Sequence, residues 1–395
     1  MASSKLALVA QAFLPVFLYA QIYASNLPAD HPAIHYMQGA VDDPVAQLIN
    51  RRVKLEPREG FGYLPSLLEH LGINPDSQAL VFSKTSFQAE KISPRNPRAI
   101  YFTDDAAVGW VRGSDSLEVA ATDPQRGTVF YTLNAADGQP RFTRQDVCLK
   151  CHQGPATLGV PGIFVGSVFP SSSGMPDRLG AIITDHRTAL EDRWGGWYVT
   201  AAHGEQRDRA NAVAPDPAEP HALRTEGKQN LTSLVREFNT TGYLMPSSDI
   251  VALMTFEHQT QMTNFITRLA WEARMGQSLD ADIDAIVAYM LFAEEAPLRE
   301  PIEGVSTFAK TFPQRGPRDS HGRSLRDFDL HTRLFRYPLS YMVHSAAFEA
   351  LPEGVRGQIW RRVYDVLEGR NPSPKFARLT AEDRRAILEI LRDTR

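Results

Sequence analysis

Both cysteines of this 395-residue chain fall within four positions, Cys148 and Cys151 in VCLKCHQGP, and His152 follows the second directly. In Cys-x-x-Cys-His the two thiols stand about one helical turn apart, the separation at which two sulfurs can add to the two neighbouring vinyl groups of a haem. The adjacent histidine then falls beneath the macrocycle, where an imidazole nitrogen reaches iron. The motif is therefore expected to attach one haem c covalently, with Cys148 and Cys151 as thioether anchors and His152 as the proximal iron ligand. Two other chemistries use paired cysteines. A thioredoxin-type dithiol needs a βα pattern around it, which the flanks TRQD and QGPATLGVPG do not supply. A structural zinc site needs two more close ligands, and the next histidine along the chain is His186.

Haem reactivity turns on the sixth iron position: two strong protein ligands favour electron transfer, and an open side favours binding of small molecules. Four residues are candidates for it. His258 shares a three–four spacing with Val251, Met254, Gln261 and Phe265, which puts it on the interior stripe of a helix, where it is either a cofactor ligand or a core histidine bonded to a neighbour. Met175 lies in the Gly/Pro/Ser loop SSSGMPDR, a setting like the methionine-ligand loop of small cytochromes c and equally that of a solvent-facing side chain. His203 and His186 each end an expected strand and can either reach into a site or cap a loop. Trp194, Trp197 and Tyr198 could wall a haem or fill a β core. Arg95, Arg98, Arg187 and Arg193 could pair with its propionates or be ordinary arginines.

The elements that must position these residues change character along the chain. Residues 62–73 (GYLPSLLEHLGI) have helical apolar spacing and a glycine stop. From Ala79 the runs ALVFSKTSF, RAIYFTD, AVGWVRG, SLEVAATD and TVFYTLN are short, β-branched or aromatic, and separated by Pro, Gly, Asp and Asn, which predicts an antiparallel meander. GIFVGSVF, LGAIITD and GWYVTAA read as further strands after the motif. Residues 204–230 are polar and proline-rich and read as a loop or linker. From Leu231 the pattern is helical: a long helix beginning near Ser248, then LDADIDAIVAYMLFAEE, SYMVHSAAFEAL, PEGVRGQIWRRVYDVLEG and TAEDRRAILEILRDT. The expected fold is α+β: an antiparallel β-rich N-terminal part (25–203) carrying the haem motif, then an all-α helical part (231–395).

Residues 1–24 stand apart. Lys5, an apolar run from Leu6 interrupted by Pro15, and small Ala24 before polar residues have the shape of a secretory signal peptide; the rival is an uncleaved anchor over 6–24. Export to the periplasm fits the motif, because cytochrome c maturation takes place outside the bacterial cytoplasm. A net charge of −4, with no run of Lys or Arg, excludes a nucleic-acid surface. A hydrophobic content of 43% suffices for a packed core.

At the five residues of the motif the chain resembles c-type cytochromes. KISPRNPRAIYFTDD, GWVRG, DPQRGTVFYTL, CLKCHQGP, DRWGGWYVTAAHG and FEHQTQMTNFITR together resemble a broad group of bacterial haem c proteins. That resemblance, covering most of the chain from residue 80, implies the fold and the cofactor but no established reaction. The expected function is electron transfer with a redox partner protein; the alternative is a peroxidase- or oxygenase-like haem enzyme with an open distal side.

Overall fold

The computed structural model describes residues 26–134, 138–178 and 180–395, so the expected signal segment, 1–24, lies outside the described residues. The fold is α+β, with an antiparallel seven-stranded sheet first and a helical region after it. Six strands form the meander: β1 (Ala79–Val81), β2 (Arg98–Phe102), β3 (Ala106–Val111), β4 (Ser116–Asp123), β5 (Gly127–Asn134) and β6 (Arg141–Arg144). The later strands are shorter than their sequence runs. β7 (Val165–Ser167) and β8 (Ile182–Thr184) pair only with each other, whereas β9 (Trp197–Tyr198) joins the main sheet beside β1. The sheet order is thus β6-β5-β4-β3-β2-β1-β9.

Strand β4 shows how the sheet divides space. Its residues alternate between half-buried (Ser116, Glu118, Ala120) and buried (Leu117, Val119, Ala121), because successive side chains leave opposite faces of a pleated strand. The buried set, with Tyr101, Val108, Trp110 and Tyr131 from neighbouring strands, packs under the N-terminal segment and its helices Pro44–Asn50 and Leu64–His70. On the other face one end is covered by the helix Ile250–Arg274, where Phe102 meets Phe256 with ring centroids 4.6 Å apart. The rest of that face is left open.

The helix Ile250–Arg274 starts where the Ser/Asp pattern predicts, Asp249 accepting from the backbone N–H of Val251 and Ala252. It is not the one-sided surface helix that its spacing suggests: every residue from Ile250 to Glu272 is buried. The sheet lies on one side of it, and on the other the helices Asp280–Met290, Glu353–Leu367 and Ala381–Thr394 complete the larger apolar core. That core draws on residues from Ala79 to Leu391, so the β and α parts share it. The run SYMVHSAAFEAL does not make one helix: Ser345 is extended (φ −75°, ψ 148°) and caps a separate turn, Ala346–Glu349. Residues 204–230 carry neither helix nor strand, yet Ala210, Asn211 and Ala212 are buried, and Asn211 bonds both Trp197 and Val199.

Candidate haem attachment site

The motif is delivered by the edge of the sheet. Gln145, which follows β6, donates from its backbone to the Phe130 carbonyl (2.8 Å) and from its side chain to Thr132 Oγ1 (3.0 Å). The chain then turns through a 3₁₀ stretch, Asp146–Cys148, into one helical turn, Leu149–His152. That turn sets Cys148 and Cys151 side by side on its surface, since positions three apart are neighbours on a helix. Both thiols are free, Cys148 half-buried and Cys151 exposed. Burial, with the Glu118 carboxylate adding to it, pushes the Cys148 thiol up to about 11.

His152 is held from three sides. Its ring lies against Phe130 (centroids 4.9 Å apart) and Phe164 (5.9 Å). Burial keeps the imidazole neutral by lowering its pKa below the usual histidine range. Nδ1 lies 3.0 Å from the Gly162 carbonyl oxygen; in the tautomer that donates there, Nε2 carries the lone pair. A backbone carbonyl on the far nitrogen is the usual device for orienting a metal-ligating histidine. The loop between them closes on itself, Gly162 N–H donating back to the His152 carbonyl at 2.9 Å. Gly162 is required at this point because a Cβ would overlap the Asn264 amide of the long helix. Asn264, fully buried, donates to the Ile163 carbonyl at 3.0 Å. The long helix therefore anchors Ile163, the residue after the one whose carbonyl orients His152.

Cys148, Cys151 and His152 all open onto a cavity of about 640 Å³ on the uncovered face of the sheet, well within the ~300–1,000 Å³ of cofactor pockets. Its floor is two antiparallel rows: Ala107–Ala120–Phe130, and Ile100–Gly109–Glu118–Thr132. Small residues there leave depth above the sheet. Phe256 closes one end, and the segment Thr85–Gln88 with Phe87 and Val147 forms the rim; Phe87 is 69% and Val147 43% exposed, large apolar side chains with little else to cover them. Two thiols at the rim, one oriented neutral imidazole, and beside them a cavity whose floor of small and apolar residues also carries the Arg98–Glu118 ion pair fit a covalently attached haem.

The other residues singled out from the sequence lie elsewhere, with one exception. His258 and His186 face each other, Nδ1 to Nδ1 at 3.0 Å, and His258 Nε2 bonds Ser340 Oγ at 2.8 Å. His203 lies 3.4 Å from Asp208, both buried. Met175 is 54% exposed on its loop. None of these four lines the cavity, so the structure does not bring them to His152. Trp194 Nε1 donates to Glu257 (3.0 Å), Trp197 Nε1 to Gly166 (2.8 Å) and Tyr198 to Pro94 (2.7 Å), all outside the cavity. Arg187 pairs with Asp185 and Arg193 with Glu257. Arg98 is the exception, lining the cavity in an ion pair with Glu118. Phe130, Glu118, Gly162 and Asn264 carried no motif; for Glu118 the alternation in SLEVAATD was the available signal.

Comparison with protein-family models, with curated proteins and with solved structures finds no match. Among the described residues, no helix is long and apolar enough to cross a membrane.

Proposed function

We propose that this is an exported c-type haem protein: one haem bound by thioethers to Cys148 and Cys151, with His152 as axial iron ligand, working in one-electron redox exchange with a partner protein. The observation that carries this reading is the attachment turn itself, which opens onto a haem-sized cavity with His152 Nδ1 engaged by Gly162, so that Nε2 is the nitrogen left for a metal. When bound, haem supplies a one-electron iron couple. The chain's own part is to hold and surround it. Phe130 and Phe164 fix the imidazole plane, Gly162 fixes its tautomer and direction, Asn264 anchors the adjoining Ile163, and Ala107, Ala120 and Phe256 give one side an apolar wall. Axial-ligand identity and the polarity of the surround are two of the levers by which a protein sets a haem potential. The exposed Phe87 and Val147 at the rim suit contact with a partner near the haem edge.

One observation favours the second reading, an enzyme or ligand-binding haem with an open distal side. Among the described residues, the cavity lining contains one histidine and no methionine or lysine, so His152 is the nitrogen ligand it offers. The test of the shared core is chemical. Holoprotein matured with a cytochrome c assembly system is expected to keep its haem through acid–acetone extraction and to lose it in Cys148→Ser/Cys151→Ser. Haem that resists extraction in the double variant, or wild-type protein that takes up no haem, sinks the proposal.

A further inference from the structure

The helical part holds a second cavity, of about 230 Å³, which shares no lining residue with the first. It lies between the turn that ends the helix Asp280–Met290 and the segment Lys375–Thr380 that leads into the helix Ala381–Thr394. That turn closes by Ala293 N–H donating to the Ala288 carbonyl at 3.0 Å and Phe292 N–H to that of Tyr289 at 3.1 Å. Its left-handed position usually carries glycine, yet here it is Phe292, at φ 52°. A bulky residue is costly in that conformation. This ring is used twice: it stacks on His258, centroids 4.5 Å apart, and it lines the cavity. With Leu291, Phe376 and Leu379 it makes an apolar wall.

The charged groups of the lining divide into two sets. Arg333 and Asp383 neutralise each other, Asp383 also accepting from Thr380 Oγ1 at 2.9 Å. Lys375 and Arg378 are exposed, and Arg378 spends one guanidinium N–H on the Glu295 backbone carbonyl, which leaves the rest of its fork for a ligand. The Glu295 side chain is buried, Oε1 accepting from Leu334 N–H at 2.8 Å. Burial pushes its carboxyl up to about 7, so below that pH it adds little negative charge to the lining. We propose that this cavity binds a small organic carboxylate with an apolar body, its carboxylate on Arg378 and Lys375 and its body against Phe292 and Leu379. An inorganic anion would leave the apolar wall uncovered, and a neutral molecule would leave the Arg378 charge unmet. At about 230 Å³ the cavity is smaller than the ~300–1,000 Å³ of drug-sized pockets, which limits the body to one ring or a short chain. The site stands independently of the haem reading.

The test is calorimetric titration of the purified full chain with benzoate and hexanoate, with inorganic phosphate and benzyl alcohol as controls. Both carboxylates are expected to bind saturably, and neither control to do so. Arg378→Ala is expected to raise the benzoate Kd by about tenfold, and Lys375→Ala by about threefold. Both side chains are exposed, and unfolding curves check that the variants stay folded. Glu295 sets the pH dependence: Arg193, Arg333 and Arg378 lie near it, and Asp383 and Lys375 share its cavity. Ionised above about pH 7, it repels the bound carboxylate, so the wild-type Kd should rise about three- to tenfold from pH 6 to pH 8. Glu295→Gln should remove that rise. The proposal is overturned if neither carboxylate binds, or if phosphate or benzyl alcohol binds as tightly as benzoate. A benzoate Kd unchanged in folded Arg378→Ala, or a wild-type Kd that is the same at both pH values, overturns it too, since the carboxylate then lies elsewhere.

Discussion

Two polar regions of this molecule lie on opposite sides of Phe256, and they are built on different plans. In the cavity, Arg98 and Gln88 both hold the Glu118 carboxylate, beside open volume. Behind it, around the long helix, charged and aromatic residues are packed against one another. Glu257 accepts from Arg193 at 3.0 Å and from Trp194 Nε1 at 3.0 Å, and Arg193 also donates to the Thr188 and His186 carbonyls. The His186 ring lies 4.2 Å from that of Tyr289, and the His258 ring is parallel to it within 2°. Trp194, fully buried, is held at φ 68°, a left-handed conformation that a bulky residue keeps only when its surroundings impose it. A histidine-rich interior is thus no indication of a ligand site by itself; what sets the two regions apart is the open volume beside the cavity residues.

The comparison is broken most forcefully at Glu257. Glu257→Ala would leave the Arg193 guanidinium without its carboxylate inside the core and Trp194 Nε1 without an acceptor, a loss of about 3–5 kcal/mol. Chemical denaturation of the variant measures it; a cost under about 1 kcal/mol would mean that the cluster does not brace the fold. His258→Ala comes next. It removes a ring stacked on Phe292 and Tyr289, takes one of two partners from Ser340 Oγ and unpairs His186 Nδ1, for about 3 kcal/mol. The same variant sharpens the contrast between the regions, because its optical and EPR spectra with haem bound should match wild type. A shifted spin state would move His258 from the bracing region to the iron.

How legible these two regions were in the sequence differs for a physical reason. The Cys-x-x-Cys-His motif is local: five residues contain both thiols and the histidine, and a single helical turn brings them together. The meander was legible because β-branched runs stop at Gly, Asp and Pro, and the SLEVAATD alternation survives intact as β4. The three–four stripe through His258 does face inward, but so does every other side of that helix. Its polar residues find partners far along the chain, Gln259 at the Thr103 carbonyl, Asn264 at Ile163 and Arg268 at Leu158 (2.7 Å). No periodicity encodes such pairs. The open side of the cavity was hidden for the same reason, since Gln88, Arg98 and Glu118 come from three separate segments.

A milder test addresses a buried acid of the helical part, which has Arg193, Arg333 and Arg378 near it. Glu295 is 6% exposed, accepts from Leu334 N–H at 2.8 Å, and is pushed up to about 7 by burial. A carboxyl raised above its unfolded value binds more protons in the folded state, so its contribution falls as pH rises from the unfolded pKa through about 7. Glu295→Gln keeps an acceptor for Leu334 and removes the titration. Relative to wild type it should gain up to about 2–3 kcal/mol above pH 7 and show no gain near pH 4. Unfolding curves at the two pH values read this directly, and an equal difference at both would locate the effect in packing instead.

The smallest effect is expected at Met175, and it bears on the comparison from outside both regions. Its loop is tightly made: Ser171 N–H donates to the Met175 carbonyl at 2.8 Å, and Gly174 has φ +84° with the Phe82 carbonyl where a Cβ would sit. Backbone, not side chain, carries that order, and the Met175 side chain is 54% exposed. Met175→Ala therefore removes no buried group and should change stability by no more than about 0.5 kcal/mol. With haem bound, a thioether ligand would declare itself by a charge-transfer band near the red edge of the ferric spectrum that disappears in the variant. The structure predicts no such loss, because Met175 does not line the cavity onto which His152 opens.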